Sequence, residues 1–179
     1  MPFLGRPLIL RILECLASAA QEFIVSTNQP TDYAFLGLPL YPDIIPDCGA
    51  LGGLYTSLQS AKNPIVAAVA CDMPFASSSF FEYECELLSK TGADVVIPST
   101  PQGLEPLHAV YRRETCLPAI RSVLETGQLK LVGWLPDVNV KLVEPDEIAR
   151  FDPHGNVFWN LNTPEEFRRA EEQARLEEN

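Results

Sequence analysis

One aspartate directly follows the most apolar run of this 179-residue chain. The run covers residues 65–70 (Ile-Val-Ala-Ala-Val-Ala), and Cys71-Asp72-Met73-Pro74 comes next. In α/β sheets, ligands bind in the crevice beyond the carboxyl ends of the strands. Magnesium prefers oxygen ligands and binds through one or two carboxylates together with substrate phosphates. Asp72 is therefore a candidate magnesium ligand; the alternative is that it only caps the following helix.

Glycines gather at the start of a helix predicted upstream of that strand. The segment Asp47-Cys48-Gly49-Ala50-Leu51-Gly52-Gly53-Leu54 has three glycines in five residues. Glycine allows a ligand to approach the backbone closely, and a helix N-terminus favours anions. These glycines are therefore candidate contacts for a phosphate-bearing ligand. Tight packing of the helix start is the alternative explanation.

Two other segments carry polar side chains that could bind a ligand. In Asn160-Leu161-Asn162-Thr163-Pro164, the two asparagines are two residues apart, so on an extended segment their side chains point the same way. Their amides could ligate a metal or bond a base or a sugar, or the segment could only be a loop before a helix. His108 lies in an apolar run and is either a ligand contact or a histidine of the core.

Alternating strands and helices are predicted to position these segments. An amphipathic helix opens at Pro7, and Thr163-Pro164-Glu165-Glu166 has the pattern of a capping box at the start of the last helix. Apolar runs predict strands near residues 23–25, 38–41, 65–70, 95–97 and 107–111, and helices near residues 49–61, 78–90 and 114–125. The run at residues 65–70 is typical of a strand covered on both faces. The order predicts an α/β layer fold with a mostly parallel sheet.

The amino-acid composition argues against nucleic-acid binding and against a membrane-spanning helix. Acidic residues outnumber basic ones 24 to 13, giving a formal net charge of −11, and no basic run is present. Binding to nucleic acid depends on neutralising phosphates with lysine and arginine, so we do not expect it here. No apolar run reaches the roughly 18 residues of a membrane-spanning helix. Five cysteines without a C-x-x-C pair indicate thiols in a reducing cytoplasm.

The segments above, in their order, resemble the molybdenum cofactor guanylyltransferase family. This family belongs to the nucleotidyltransferases with a three-layer Rossmann-like fold. The similarity runs over nearly the whole chain, and Cys71–Phe75 together with Asn160–Glu166 is its most specific part. The other matching stretches are residues 3–9, Asn28, residues 49–54 and residues 105–111.

The resemblance implies an activity. GMP would pass from GTP to Mo-molybdopterin, giving the molybdopterin guanine dinucleotide cofactor and pyrophosphate, with Mg²⁺ as the cofactor. It also implies delivery of the product to molybdoenzymes or their chaperones. Two alternatives stay open from the sequence: a cytidylyltransferase that uses CTP, and a non-catalytic protein that binds the pterin cofactor.

The resemblance also assigns roles to residues. It implies that Asp72 binds the metal and that Asn160 and Asn162 complete the catalytic site with it. The implied nucleotide-binding residues are Asp72 again, Ser26, Asn28, Asp43, Gly49 and Gly52. His108 and Lys130 would face the pterin.

The chain departs from the family pattern at its beginning. Family members start with a strand and a glycine-rich loop of the form L-A-G-G-x-S-x-R-M-G-x-D-K, followed by a segment of the form F-x-G-x-P-L. This sequence starts at that last segment, Phe3-Leu4-Gly5-Arg6-Pro7-Leu8. We therefore expect residues 1–179 to be a single, N-terminally truncated nucleotidyltransferase-like domain whose sheet lacks its first strand. A shortened gene start and a degenerate relative would both produce this pattern.

Overall fold

A computed structural model describes residues 2–177 of the chain. The chain begins with a hairpin of two short antiparallel strands, β1 (Pro2–Phe3) and β2 (Arg6–Pro7), which leads into helix α1 (Leu8–Leu16). This confirms the helix predicted at Pro7. Across the described residues, no helix has the length and apolarity needed to cross a membrane.

A small two-stranded sheet follows α1. Strands β3 (Val25–Ser26) and β4 (Leu40–Tyr41) are parallel and are connected by helix α2 (Pro30–Tyr33) and a 3₁₀ turn at residues 34–36. Helix α3 (Gly49–Ser60) comes next and packs on both strands. The predicted strands at 23–25 and 38–41 are thus present but shorter than expected.

The main sheet and its helices occupy the rest of the chain. In chain order the elements are β5 (Ile65–Val69), α4 (Ser78–Thr91), β6 (Val95–Thr100), β7 (Gly103–Leu104), β8 (His108–Arg112), α5 (Arg113–Glu125), β9 (Val140–Val143), α6 (Pro145–Ile148) and α7 (Pro164–Glu177). The spatial order is β5-β8-β6-β9, and β7 pairs with the end of β6.

The expectation of a mostly parallel sheet is wrong for this main sheet. Strand β8 runs antiparallel to both β5 and β6, and β7 is antiparallel to β6; only β6 and β9 are parallel. Parallel neighbours need a crossover of about a dozen or more residues, usually a helix. Only residues 101–107 connect β6 to β8, and they contain no helix, so β8 returns along β6 in the opposite direction.

Helices cover both faces of the main sheet, which gives the predicted three layers. One core cluster joins helices α1, α4 and α7 to the sheet, and the other joins α3 and α5 to it. Strand β6 contributes side chains to both clusters: Val95 and Ile97 belong to the second cluster, whereas Val96 belongs to the first. This alternation follows from the two-residue period of a strand.

Strand β5 is less buried than the sequence predicts. Its apolar run was expected to be covered on both faces, yet Ala67 is exposed and the other four residues are half-buried. The reason is that β5 pairs with β8 along one edge, while no strand within residues 2–177 pairs with the opposite edge. The β3–β4 pair forms a separate sheet, and α3 packs on both it and β5.

The start of α7 has the predicted capping box. The backbone N–H of Glu166 donates to Thr163 Oγ1 at 3.2 Å, and the N–H of Thr163 donates to Glu166 Oε2 at 2.8 Å. The Glu166 carboxylate also accepts from the N–H of Asn162 at 2.8 Å. The box therefore fixes the chain just before the helix, where the predicted site residue Asn162 lies.

Candidate active site

Asp72 lies in the turn that follows β5. Its carbonyl oxygen accepts a hydrogen bond from the N–H of Leu161 at 3.0 Å, which ties the turn to the segment before α7. The side chain is half-buried, and its Oδ1 is fully buried with no hydrogen-bond partner among the described residues. Burial raises the pKa of the Asp72 carboxyl above its usual value. A carboxylate oxygen left without a donor is a natural ligand for a cation.

The structure brings the three predicted catalytic residues together. Asp72, Asn160 and Asn162 line one cleft of about 300 Å³ at the carboxyl end of β5. The remaining wall comes from Ala70, Met73, Glu105, Pro106, Leu107 and Leu131. The positions agree with the rule that ligands bind beyond strand ends. The catalytic roles of these residues stay predictions.

Contacts behind the cleft fasten the Asp72 turn. The Nε of Arg11, on α1, donates to the carbonyl oxygen of Pro74 at 3.0 Å, and its guanidinium lies 5.6 Å from the ring centre of Phe75. The Phe75 ring stacks on Trp159 with 5.9 Å between centres. Because Trp159 immediately precedes Asn160, these contacts hold both walls of the cleft in one arrangement.

The donor set suits a hard cation that is held partly by its substrate. Carboxylate and amide oxygens are available from Asp72, Asn160 and Asn162, and Oδ1 of Asp72 has no hydrogen bond within the described part of the chain. Among residues 2–177, no group of three or more histidine, cysteine, aspartate or glutamate side chains could hold a metal alone. Magnesium typically completes such a site with substrate phosphates and water. The residues therefore fit Mg²⁺ bound together with a nucleotide.

The predicted nucleotide-binding residues Ser26, Asn28 and Asp43 form a second cluster beside α3. The Asn28 side chain donates to Asp43 Oδ2 at 2.9 Å and accepts from the Asp43 N–H at 2.9 Å. Ser26 Oγ donates to Asp43 Oδ1 at 3.4 Å. These bonds fix the Asp43 carboxylate at the ends of β3 and β4. In the part of the chain that the structure describes, none of the three lines the Asp72 cleft.

Glycines allow α3 to approach this second cluster. A Cβ added at Gly52 would lie 2.9 Å from Cys48 Cβ and 3.2 Å from the Ile45 carbonyl oxygen, which is too close. At the neighbouring Gly53 it would meet only Ser26 Oγ at 3.8 Å and Asp43 Oδ1 at 3.9 Å. Gly49, the first residue of α3, has φ +54°, a conformation that favours glycine. The glycine-rich segment thus meets packing needs as well as any ligand contact.

The two adjacent glycines should respond oppositely to alanine. Gly52→Ala is expected to lower the free energy of unfolding by about 1–3 kcal/mol, because the added methyl group overpacks against Cys48. Gly53→Ala is the matched control and should raise it by roughly 0.5–1 kcal/mol through helix propensity. Urea unfolding of both variants measures this difference. Equal stability of the two variants would contradict the packing explanation.

The prediction that His108 faces a substrate is wrong. Its side chain is fully buried, stacked on Phe81 with 4.1 Å between ring centres, so it cannot contact a ligand in either cluster. Its Nδ1 lies 3.7 Å from Oε2 of the fully buried Glu84, and neither side chain has a hydrogen bond to any residue between 2 and 177. Burial lowers the pKa of His108 to about 3 and raises that of Glu84 well above its usual value. Both shifts favour the uncharged form of each side chain.

Lys130 lies in an exposed loop after α5. Its carbonyl oxygen accepts from the N–H of Gly133 at 2.9 Å, and the next residue, Leu131, lines the Asp72 cleft. The side chain of Lys130 is not part of the cleft wall, so its contact with a substrate stays a prediction.

Sequence reasoning missed Glu105 as a site residue. Glu105 lines the Asp72 cleft, its Oε1 accepts from Thr100 Oγ1 at 3.3 Å, and burial raises its pKa above the usual value. The signal was available, because Glu105 begins the stretch 105–111 that matched the family. Within that stretch, the resemblance implied a substrate contact for His108 and none for Glu105.

Comparison with solved structures defines the class of this fold. Molybdopterin-guanine dinucleotide biosynthesis protein A from Archaeoglobus fulgidus superposes with a TM-score of 0.83, at 24% identity over 98% of this chain and 89% of that one. The 2-C-methyl-D-erythritol 4-phosphate cytidylyltransferase of Thermus thermophilus has a TM-score of 0.68, at 18% identity over 96% and 90% of the two chains. The chain therefore has the mixed α/β fold of nucleotidyltransferases.

Sequence comparison identifies the family within this class. The MobA-like NTP transferase domain matches residues 1–138. A molybdenum cofactor guanylyltransferase of Desulfosudis oleivorans is 30% identical over 167 residues, covering 93% of this chain and 82% of that protein. A probable molybdenum cofactor guanylyltransferase of Peptoclostridium acidaminophilum is 34% identical over 158 residues, covering 86% and 71%. The chain belongs to the MobA-like NTP transferase family.

Proposed function

We propose that this chain transfers GMP from GTP to Mo-molybdopterin, forming the molybdopterin guanine dinucleotide cofactor and pyrophosphate. The observation that carries the proposal is the cleft in which Asp72, with its unpartnered Oδ1, meets Asn160 and Asn162. Membership of the MobA-like family supports nucleotidyl transfer as the reaction. The names of the curated relatives support GTP and the pterin as the substrates.

The proposed reaction exchanges one phosphorus–oxygen bond for another. An oxygen of the terminal phosphate of the pterin attacks the α-phosphorus of GTP, the bond from that phosphorus to the β-phosphate oxygen breaks, and pyrophosphate leaves. Such a transfer depends on charge neutralisation and alignment rather than on a covalent enzyme intermediate. Bound Mg²⁺ would supply the neutralising charge on the phosphates.

The residues of the chain have separate tasks in this proposal. Asp72 would hold the metal, and Asn160 and Asn162 would present their amide groups to it from the same cleft. The Arg11 contact with Pro74 keeps the Asp72 turn in place. On the other side, Ser26, Asn28 and Asp43 offer a prearranged set of polar groups for the nucleoside.

Incorporation of labelled nucleotide tests the proposal. The chain is incubated with Mg²⁺, Mo-molybdopterin and GTP or CTP labelled at the α-phosphate, and the labelled dinucleotide cofactor is separated and counted. We expect incorporation from GTP at least tenfold faster than from CTP, and none when EDTA replaces Mg²⁺. Faster incorporation from CTP would show a cytidylyltransferase, and pterin binding without incorporation would show a non-catalytic binding protein. Delivery to molybdoenzymes or their chaperones stays a separate prediction.

A further inference from the structure

A second cleft adjoins the one at Asp72. It encloses about 470 Å³, within the range of small-molecule sites. Glu105 and Asn160 line both clefts, so the two clefts are adjacent. A ligand bound in the second cleft can extend along these two residues to the Asp72 site. One side of this second cleft is apolar and comes from Pro101, Pro145, Ile148, Ala149, Phe158 and Trp159.

The charged residues that line the second cleft make it a poor site for a phosphate group. Among the described residues that line it, none is a lysine or an arginine, whereas Glu105 and Asp152 are both present. A phosphate group there would meet two carboxylates and no cationic side chain among these lining residues. The part of a ligand that occupies this cleft is therefore neutral and ring-shaped or apolar, and any phosphate it carries lies towards Asp72.

Of the two carboxylates, Glu105 is the one left to bind a ligand. Asp152 is buried, and its Oδ1 and Oδ2 accept from the N–H groups of Asn156 and Val157 at 2.8 and 2.9 Å. Glu105 is half-buried, and within residues 2–177 its carboxylate accepts one hydrogen bond, from Thr100 Oγ1 to Oε1 at 3.3 Å. The strongest hydrogen bonding to such a carboxylate comes from a partner with two parallel N–H donors, one for each of its two oxygens.

We propose that Glu105 reads the 2-amino-4-oxo edge of a pterin ring bound in the second cleft. This edge presents the ring N3–H and the 2-amino group side by side, which is the donor pair a carboxylate accepts. The ring then lies against the Phe158 and Trp159 side of the cleft, and its phosphate-bearing substituent extends past Asn160 to Asp72. The choice of a pterin rests on the proposed function, but the recognition by Glu105 does not depend on GTP chemistry.

Fluorescence titration with two matched pteridines tests the assignment. The probes are 6-hydroxymethylpterin and 6-hydroxymethyllumazine, which carries an oxygen where the pterin carries its 2-amino group. We expect the wild-type chain to bind the pterin at least tenfold more tightly than the lumazine. Glu105→Gln should abolish that preference, because its amide replaces one acceptor by a donor. Glu114→Gln, an exposed glutamate on α5, is the control and should keep it.

Each outcome decides the question. A pterin preference that survives in Glu105→Gln, or no pterin binding by the wild-type chain, overturns the assignment. Thermal unfolding of both variants checks that the fold is retained. Failure of GMP transfer in the incorporation assay, with the pterin preference intact, would overturn the proposed function and leave the role of Glu105 standing.

Discussion

Replacing Asp72 by asparagine is expected to lower the rate of GMP transfer more than tenfold. The side chain keeps its size, but it loses the negative charge that would hold Mg²⁺ at the cleft. The fold should be unaffected. Burial raises the pKa of Asp72, so the ionised carboxylate contributes no folding stability at neutral pH that its removal would forfeit.

The measurement compares initial rates of labelled cofactor formation over a range of Mg²⁺ concentrations. Asp32→Asn, an exposed aspartate on α2, makes the same change in charge away from the cleft and should keep the wild-type rate. We expect the thermal midpoints of both variants to match the wild type or exceed it. Wild-type turnover by Asp72→Asn at every Mg²⁺ concentration would contradict the metal role.

Replacing Glu84 by glutamine is expected to stabilise the protein at pH 8 by roughly 1–3 kcal/mol. The pKa of Glu84 in the folded chain lies well above its usual 4.5, because the carboxyl is buried away from water. A raised carboxyl pKa gives stability that is complete below pH 4.5 and is lost as the pH rises towards the folded value. Glutamine cannot ionise, so the variant avoids this alkaline loss.

His108 has the opposite dependence and supplies the control. Burial lowers the pKa of His108 from 6.5 to about 3. The contribution of His108 to folding stability is therefore complete above pH 6.5 and is lost as the pH falls towards 3. His108→Phe should remove this acid loss and keep the alkaline one. Urea unfolding of both variants and the wild type between pH 3 and 9 gives the curves. An alkaline loss that persists in Glu84→Gln would show that another group causes it.

Much of the site could be predicted because its residues follow strand ends. Asp72 comes directly after the apolar run of β5, and chain direction alone places it at the ligand-binding edge. The two asparagines could be predicted from their two-residue spacing and from the resemblance to the family. Their meeting with Asp72 depends on the bond between Leu161 and the Asp72 carbonyl, which no local pattern encodes.

The errors have physical causes in one short stretch of chain. Strand β8 has covered side chains on both faces, so the pattern does not tell which side His108 takes. The side chain points into the aromatic core, whereas Glu105, three residues earlier in the loop, points to the clefts. The antiparallel direction of β8 was missed for a different reason: the alternation of strands and helices was assumed throughout, although no helix is predicted between the strands near residues 95–97 and 107–111.

The division of the β-structure into two sheets has a consequence for motion within the protein. Ser26 and Asp43 belong to the β3–β4 pair, and packing on α3 connects that pair to the sheet whose strand β5 leads to Asp72. Because β3 has two half-buried residues whereas β6 is largely buried, we expect the amide hydrogens of β3 to exchange through local opening at a lower free energy than those of β6. A nucleotide that contacts both Asp43 and Asp72 would therefore restrict the opening of the β3–β4 pair. Its binding would be measured as slower amide exchange of Val25 and Thr27.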